Sequence, residues 1–223
     1  MPDTWRVRVG GSETSAIFEA ADEFTDAPVF VCAHGAGGNK DDRGLVALSK
    51  ALRARGLSVV RFNFLYREKK SGRPDPMAKL EECFAAVVER TRDEVHPKTL
   101  IIGGRSMGGR AASMMAAENF NCDGLLLFAY PLHPPGHPEK LRDAHLPSIT
   151  VPVLCFNGTR DPFITLELMG SVLKNVKTQW EMHWVEGADH SFHVLKSSGK
   201  TDGQVLEEMA ETVKNWVTKI SSI

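Results

Sequence analysis

The sequence predicts an α/β fold, a doubly wound and mostly parallel sheet with helices on both faces. Three observations carry that expectation. Short, nearly continuous apolar runs end in glycine or polar residues, as strands buried on both faces do. Longer stretches with apolar residues at helical spacing alternate with them. The residues able to do chemistry cluster just after the carboxyl ends of those runs, the edge at which such sheets bind ligands. A length of 223 residues fits one domain over 1–223.

In chain order, "TWRVRV" (4–9) alternates at period two, and "SAIFEA" (15–20) pairs with it as a hairpin across Gly10 and Gly11. The buried-strand runs are 28–34, 57–63, 99–104, 123–130 and 151–158, and 181–187 is a further, more alternating strand. Helices are expected at 41–55, 76–94, 107–118, 163–174 and 203–220. The last sets Val205, Leu206, Met209, Val213, Trp216, Val217 and Ile220 on one stripe, which reads as a packing face. One segment breaks the rhythm. Residues 130–150 hold five prolines and three histidines, the composition of a partial lid or binding loop.

Composition narrows the partners. Lys plus Arg number 27 against 28 acidic residues, a net charge of -1 that offers no field for nucleic acid or an anionic membrane. No run approaches the roughly 18 apolar residues of a membrane span, and the start has no apolar signal core. Cys32, Cys83, Cys122 and Cys155 show no paired metal spacing and read as buried free thiols, so neither a metal nor a cofactor is expected, and a reducing cytoplasm is the default location. The sequence leaves the oligomeric state open.

Gly104-Arg105-Ser106-Met107-Gly108 matches G-x-S-x-G, with an apolar strand before it and the helix former "RAASMMAAE" after it. Such a turn must be very tight, and Gly104 and Gly108 supply room two residues to either side of the serine. A glycine-rich turn with a serine cap, or a dinucleotide loop, fits less well, because the next strand ends in Ala129 and Tyr130 rather than an acid. Ser106 is therefore the candidate nucleophile.

A serine hydroxyl needs a base, and the base an orienting carboxylate, in the order serine, acid, histidine. Asp161 stands beyond the end of "VPVLCFNG", where it could also cap a helix. His190 lies in "GADHSFH" ahead of the last helix, with His193 as the competing base. The oxyanion donors expected are the backbone N–H of Met107 and, from the loop His34-Gly35-Ala36-Gly37-Gly38, that of Ala36 with Gly37 close behind. Candidate substrate-binding residues are His34, Arg105, Tyr130 and His133. Arg105 or Arg110 could hold an acidic acyl group, or Arg105 could be tied to a local carboxylate with Arg110 on the helix surface.

With "GGRSMGGRAA", "YPLHPP" followed by "KLRD", and "MHWVEGADHS", the sequence resembles the serine α/β-hydrolases, in particular the lid-poor branch near dienelactone hydrolases. The same segments resemble a testis-expressed family of predicted α/β-hydrolases and its bacterial relatives. The resemblance runs from about residue 28 to the C-terminal helix. It implies the α/β-hydrolase fold with a minimal lid and the triad Ser106, Asp161 and His190. Dienelactone hydrolases carry cysteine at the nucleophile, so their lactone substrate does not transfer. The expected function is a carboxylesterase-like serine hydrolase acting on a small or medium ester or thioester. A non-catalytic binding or scaffold protein, or a peptidase or acyltransferase using the same triad, are the alternatives.

Overall fold

The computed structural model describes residues 2–22 and 26–221. Its strands are β1 (Asp3–Val9), β2 (Ser12–Glu19), β3 (Val29–Ala33), β4 (Ser58–Phe62), β5 (Leu100–Arg105), β6 (Gly124–Phe128), β7 (Val153–Gly158) and β8 (Trp180–Val185). The helices are α1 (Arg43–Arg53), α2 (Leu65–Glu68), α3 (Met77–Val95), α4 (Met107–Ala117), α5 (Leu166–Leu173) and α6 (Asp202–Ile220). All strands join one sheet in the order β1-β2-β4-β3-β5-β6-β7-β8. β1 and β2 form the expected hairpin, and β2 runs antiparallel to β4; the pairs from β4 to β8 are all parallel.

The apolar runs fold as they do because both faces of the sheet are covered. Every residue of β3, β4 and β6 is buried. On one face Leu45, Leu48 and Leu52 of α1 meet Val205, Met209, Val213 and Trp216 of α6. On the other, α3, α4 and α5 bury Leu80, Val87, Ala112, Met115, Met169 and Val172. A reciprocal Thr201–Gln204 box caps α6, satisfying backbone donors at its start. All four cysteines are buried and free.

β3 has β4 on one side and β5 on the other, so the connections reverse direction between β3 and β5. A crevice opens outside the carboxyl ends of two such strands, because their following helices leave to opposite faces. The loop after β3 and the turn after β5 meet there.

Two details of the fold matter for the site. The helix expected from residue 163 begins at Leu166, capped by Thr165, whose hydroxyl accepts from Leu168 N–H at 3.2 Å. Asp161 is thus no helix cap. The 130–150 segment has a single 3-10 turn at Leu146–Ser148; Tyr130, Leu132, Leu146 and Ile149 are buried, while residues 135–141 are exposed. Arg142 N–H donates to Leu132 O at 2.8 Å, the Tyr130 hydroxyl donates to Arg142 O at 3.0 Å, and His133 N–H donates to Phe163 O at 3.0 Å.

Candidate active site

Ser106 sits at φ 50°, ψ -114°, between β5 and α4. This backbone costs a non-glycine residue about 1–3 kcal/mol and survives only where its surroundings enforce it. Here they do. A Cβ on Gly104 (φ 142°) would lie 2.2 Å from Ala33 O, and one on Gly108 would lie 2.7 Å from both Ala33 O and His34 O. The glycines let the turn press against the end of β3, which aims the serine into the crevice.

His190 reaches Ser106 from the loop after β8. Its Nε2 is 3.0 Å from Ser106 Oγ, and its Nδ1 is 2.7 Å from Asp161 Oδ2. The ionised carboxylate accepts from Nδ1–H, which leaves Nε2 as acceptor for the serine hydroxyl. Asp161 is buried, and its Oδ1 accepts from Phe163 N–H at 2.9 Å. The Phe163 ring lies 4.3 Å from the imidazole, centroid to centroid, fixing its tilt. His193 is out of reach of this role, since its Nδ1 pairs with Asp202 at 2.6 Å at the start of α6. That hydrogen bond raises the His193 pKa above its ordinary value.

Ala36 and Met107 line the same cleft as Ser106 and His190. Among the described residues, neither backbone N–H has an acceptor within the protein. Free donors beside a nucleophile at a helix N-terminus are what a developing oxyanion needs. Gly37, the other donor expected from the sequence, does not line the cleft; it turns the loop at φ 75°.

Three residues expected to touch substrate are buried and otherwise engaged. His34 donates from Nδ1 to Gly35 O at 2.8 Å and accepts Phe64 N–H at Nε2, 3.2 Å away. Burial pushes its pKa down to about 4, so it is a neutral brace under the Gly35–Ala36 loop. Tyr130 points its hydroxyl at Arg142 O, and His133 folds its Nδ1 onto Pro134 O at 2.8 Å. Arg105 does line the cleft, but its Nη2 donates to Ser191 Oγ at 2.8 Å and His190 O at 3.2 Å, so its partner is the histidine loop rather than a carboxylate.

Sequence reasoning missed Asn157, at the end of β7. Its Nδ2 donates to Asp161 Oδ2 at 3.3 Å and Tyr130 O at 3.2 Å, while its Oδ1 accepts from Tyr130 N–H at 3.2 Å. It also missed Arg142, which the 130–150 segment delivers to the cleft together with Pro131. The cleft holds about 480 Å³. Among the described residues, no group of three or more His, Cys, Asp or Glu could hold a metal ion, and no helix is long and apolar enough to cross a membrane.

A family model described as an alpha/beta hydrolase domain matches residues 26–218. The chain belongs to the α/β hydrolase domain family. Solved structures agree with this α/β hydrolase in fold. Est1E from Butyrivibrio proteoclasticus, with ferulic acid bound, superposes with a TM-score of 0.78 at 17% identity, over 98% of this chain and 100% of that one. An α/β serine hydrolase without lid from Xanthomonas campestris gives 0.76 at 20% identity, over 96% and 94%. A dienelactone hydrolase from Anabaena variabilis gives 0.74 at 19%, over 98% and 97%. The narrower likeness to the testis-expressed family rests on the sequence segments alone.

Proposed function

We propose that this α/β hydrolase is a serine hydrolase that cleaves a carboxylic ester or thioester of a small to medium substrate through an acyl-enzyme on Ser106. The observation that carries the reading is the continuous contact from Ser106 Oγ to His190 Nε2 (3.0 Å) and from His190 Nδ1 to Asp161 Oδ2 (2.7 Å), beside two free backbone donors.

As Ser106 Oγ attacks the acyl carbon, its proton passes to His190 Nε2. The buried Asp161 carboxylate stabilises the imidazolium and holds the ring by Nδ1. The tetrahedral oxyanion accepts hydrogen bonds from Met107 N–H and Ala36 N–H; one such donor is worth about 10²–10³ in rate. His190 then returns the proton to the leaving alcohol or thiol, and the acyl–oxygen bond to Ser106 remains. Water, deprotonated by the same nitrogen, attacks the acyl-enzyme and releases the acid.

A fluorophosphonate probe followed by peptide mass spectrometry tests this directly. Ser106 labelling in the wild type and its loss in His190→Ala is the expected result; folded wild-type protein that takes no label would point instead to a binding protein. p-Nitrophenyl acetate, butyrate and octanoate then rank acyl length, with the short and medium esters expected to lead.

A further inference from the structure

The cleft around Ser106 contains two cations that the proposed chemistry does not use. Arg110, on the first turn of α4, and Arg142, in the 130–150 segment, both line it. Among the described residues, no carboxylate comes within 4.0 Å of either guanidinium, and neither side chain has a hydrogen-bond partner. Arg110 Nε is moreover fully buried without an acceptor. Buried donors are rarely left in that state, because an unpaired one costs roughly 1–3 kcal/mol.

The surroundings pair neither guanidinium. Arg142 is pinned through its own backbone, N–H to Leu132 O and C=O from the Tyr130 hydroxyl, which leaves its guanidinium free. Burial, and then Arg110, hold its pKa below the ordinary arginine value. His145, hydrogen-bonded to Ser113 at 2.8 Å, adds no charge: burial, and then Arg110, push its pKa down to about 4. Glu81 is the carboxylate that feels Arg110, yet one of its oxygens is itself buried and unpartnered, and burial raises its pKa. Asp75 lines the cleft from the side of Tyr66 and Cys83, whose pKa values are raised first by burial and to a smaller extent by its charge.

Resting on the hydrolase reading above, we propose that Arg110 and Arg142 bind a carboxylate carried by the substrate, so that the preferred substrates are half-esters or half-thioesters of short dicarboxylic acids. Arg110 N–H donates to Ser106 O at 2.9 Å, one helical turn on, and four residues at 1.5 Å rise place its Cα about 6 Å along the axis. Helical side chains lean toward the N-terminus, which brings the guanidinium back toward the nucleophile. A carboxylate a few bonds from the scissile carbonyl spans that gap. Guanidinium groups grip a planar carboxylate through parallel N–H bonds in a fixed fork.

Two measurements on the full chain test the site and the chemistry separately. The first follows binding by thermal shift and calorimetry, with glutarate and inorganic phosphate as probes, for the wild type, Arg110→Met and Arg142→Met; circular dichroism checks that each variant is folded. Glutarate should stabilise the wild type, and each variant should lose at least tenfold in affinity. The second compares kcat/KM for monoethyl glutarate and for its carboxamide analogue by pH-stat. The wild type should favour the anionic ester at least tenfold, and the ratio should fall to within about threefold of one in the double variant. Glutarate binding without fluorophosphonate labelling of Ser106 would keep the site and overturn the hydrolase reading. Labelling with no glutarate binding and no preference for the anionic ester would overturn the site and leave the hydrolase reading standing. Phosphate binding tighter than glutarate would overturn the assignment to a carboxylate.

Discussion

Arg105 and His190 are coupled across the cleft: the guanidinium of the residue before Ser106 donates to the carbonyl of His190 and to the hydroxyl of Ser191. One side chain thereby ties the turn that bears Ser106 to the loop that bears His190. The loop has further ties of its own, since Asp189 Oδ1 accepts from the N–H groups of Ser191 and His193 at 2.8 and 3.0 Å. Arg105→Ala should therefore loosen the imidazole without displacing it, lowering kcat about tenfold to a hundredfold. KM for p-nitrophenyl butyrate should move less than threefold, and the preference between charged and neutral esters should not change. An intact kcat with a raised KM for anionic esters alone would make Arg105 a substrate ligand instead.

Asn157 touches Asp161 rather than His190. Its amide bridges Asp161 to both backbone groups of Tyr130, so Asn157→Ala takes a hydrogen bond from each of them and leaves the buried Tyr130 N–H with no acceptor. We expect a loss of about 1–3 kcal/mol in urea unfolding, together with a fall in kcat. Asn157→Asp should behave differently: a second carboxylate beside Asp161 disfavours ionisation of both, and the acid limb of the kcat/KM profile should move to higher pH. An unmoved acid limb would show that Asn157 only supports the fold.

The pattern of what the sequence could and could not reveal follows from the physics of each residue. The Ser106 turn was legible because tightness demands glycine at fixed spacing, and Asp161 and His190 because a strand end positions the residues after it. The antiparallel placement of β2 against β4 and the short α2 were not, since neither leaves a periodic signal. Residue type and nearness to a strand end suggest His34, Tyr130 and His133 as substrate contacts. Type and nearness do not say where a side chain points, and hydrogen bonds to Gly35 O, Arg142 O and Pro134 O turn all three inward. Arg142 was hidden for the converse reason. Its approach to Ser106 depends on how the irregular 130–150 segment folds back, through contacts that no local pattern encodes.

Gly158 supplies a test of how closely Asp161 and His190 must approach for activity. A Cβ there would lie 2.2 Å from Ala188 O and 2.8 Å from Asp189 O, so only glycine lets the histidine loop rest on the end of β7. Gly158→Ala should push that loop outward while the sheet stays paired. Circular dichroism should remain close to wild type, the unfolding midpoint should drop, and kcat should fall at least a hundredfold. Full activity in a folded Gly158→Ala protein would mean that the loop position is not what sets the Ser106–His190 contact.

Acid should destabilise the protein through His34, and the sign follows from its burial. In the unfolded chain its imidazole titrates near the ordinary value of 6.5, while burial holds it at about 4 in the fold. Below pH 6.5 the unfolded state therefore binds the extra proton first, and the stability present above that pH is lost progressively down to about pH 4, where the folded form also protonates. The full loss is on the order of 3 kcal/mol, at 1.36 kcal/mol per unit between about pH 6.5 and 4. Protonation would also place a second donor where Nε2 now accepts Phe64 N–H, breaking the brace under Ala36. Urea unfolding at pH 7.5 and 5 should show a steeper acid loss for the wild type than for His34→Gln, which carries no titrating group and is less stable than the wild type at pH 7.5. Equal losses in the two proteins would assign the acid sensitivity to other groups, with His145, also at about 4, the next to replace.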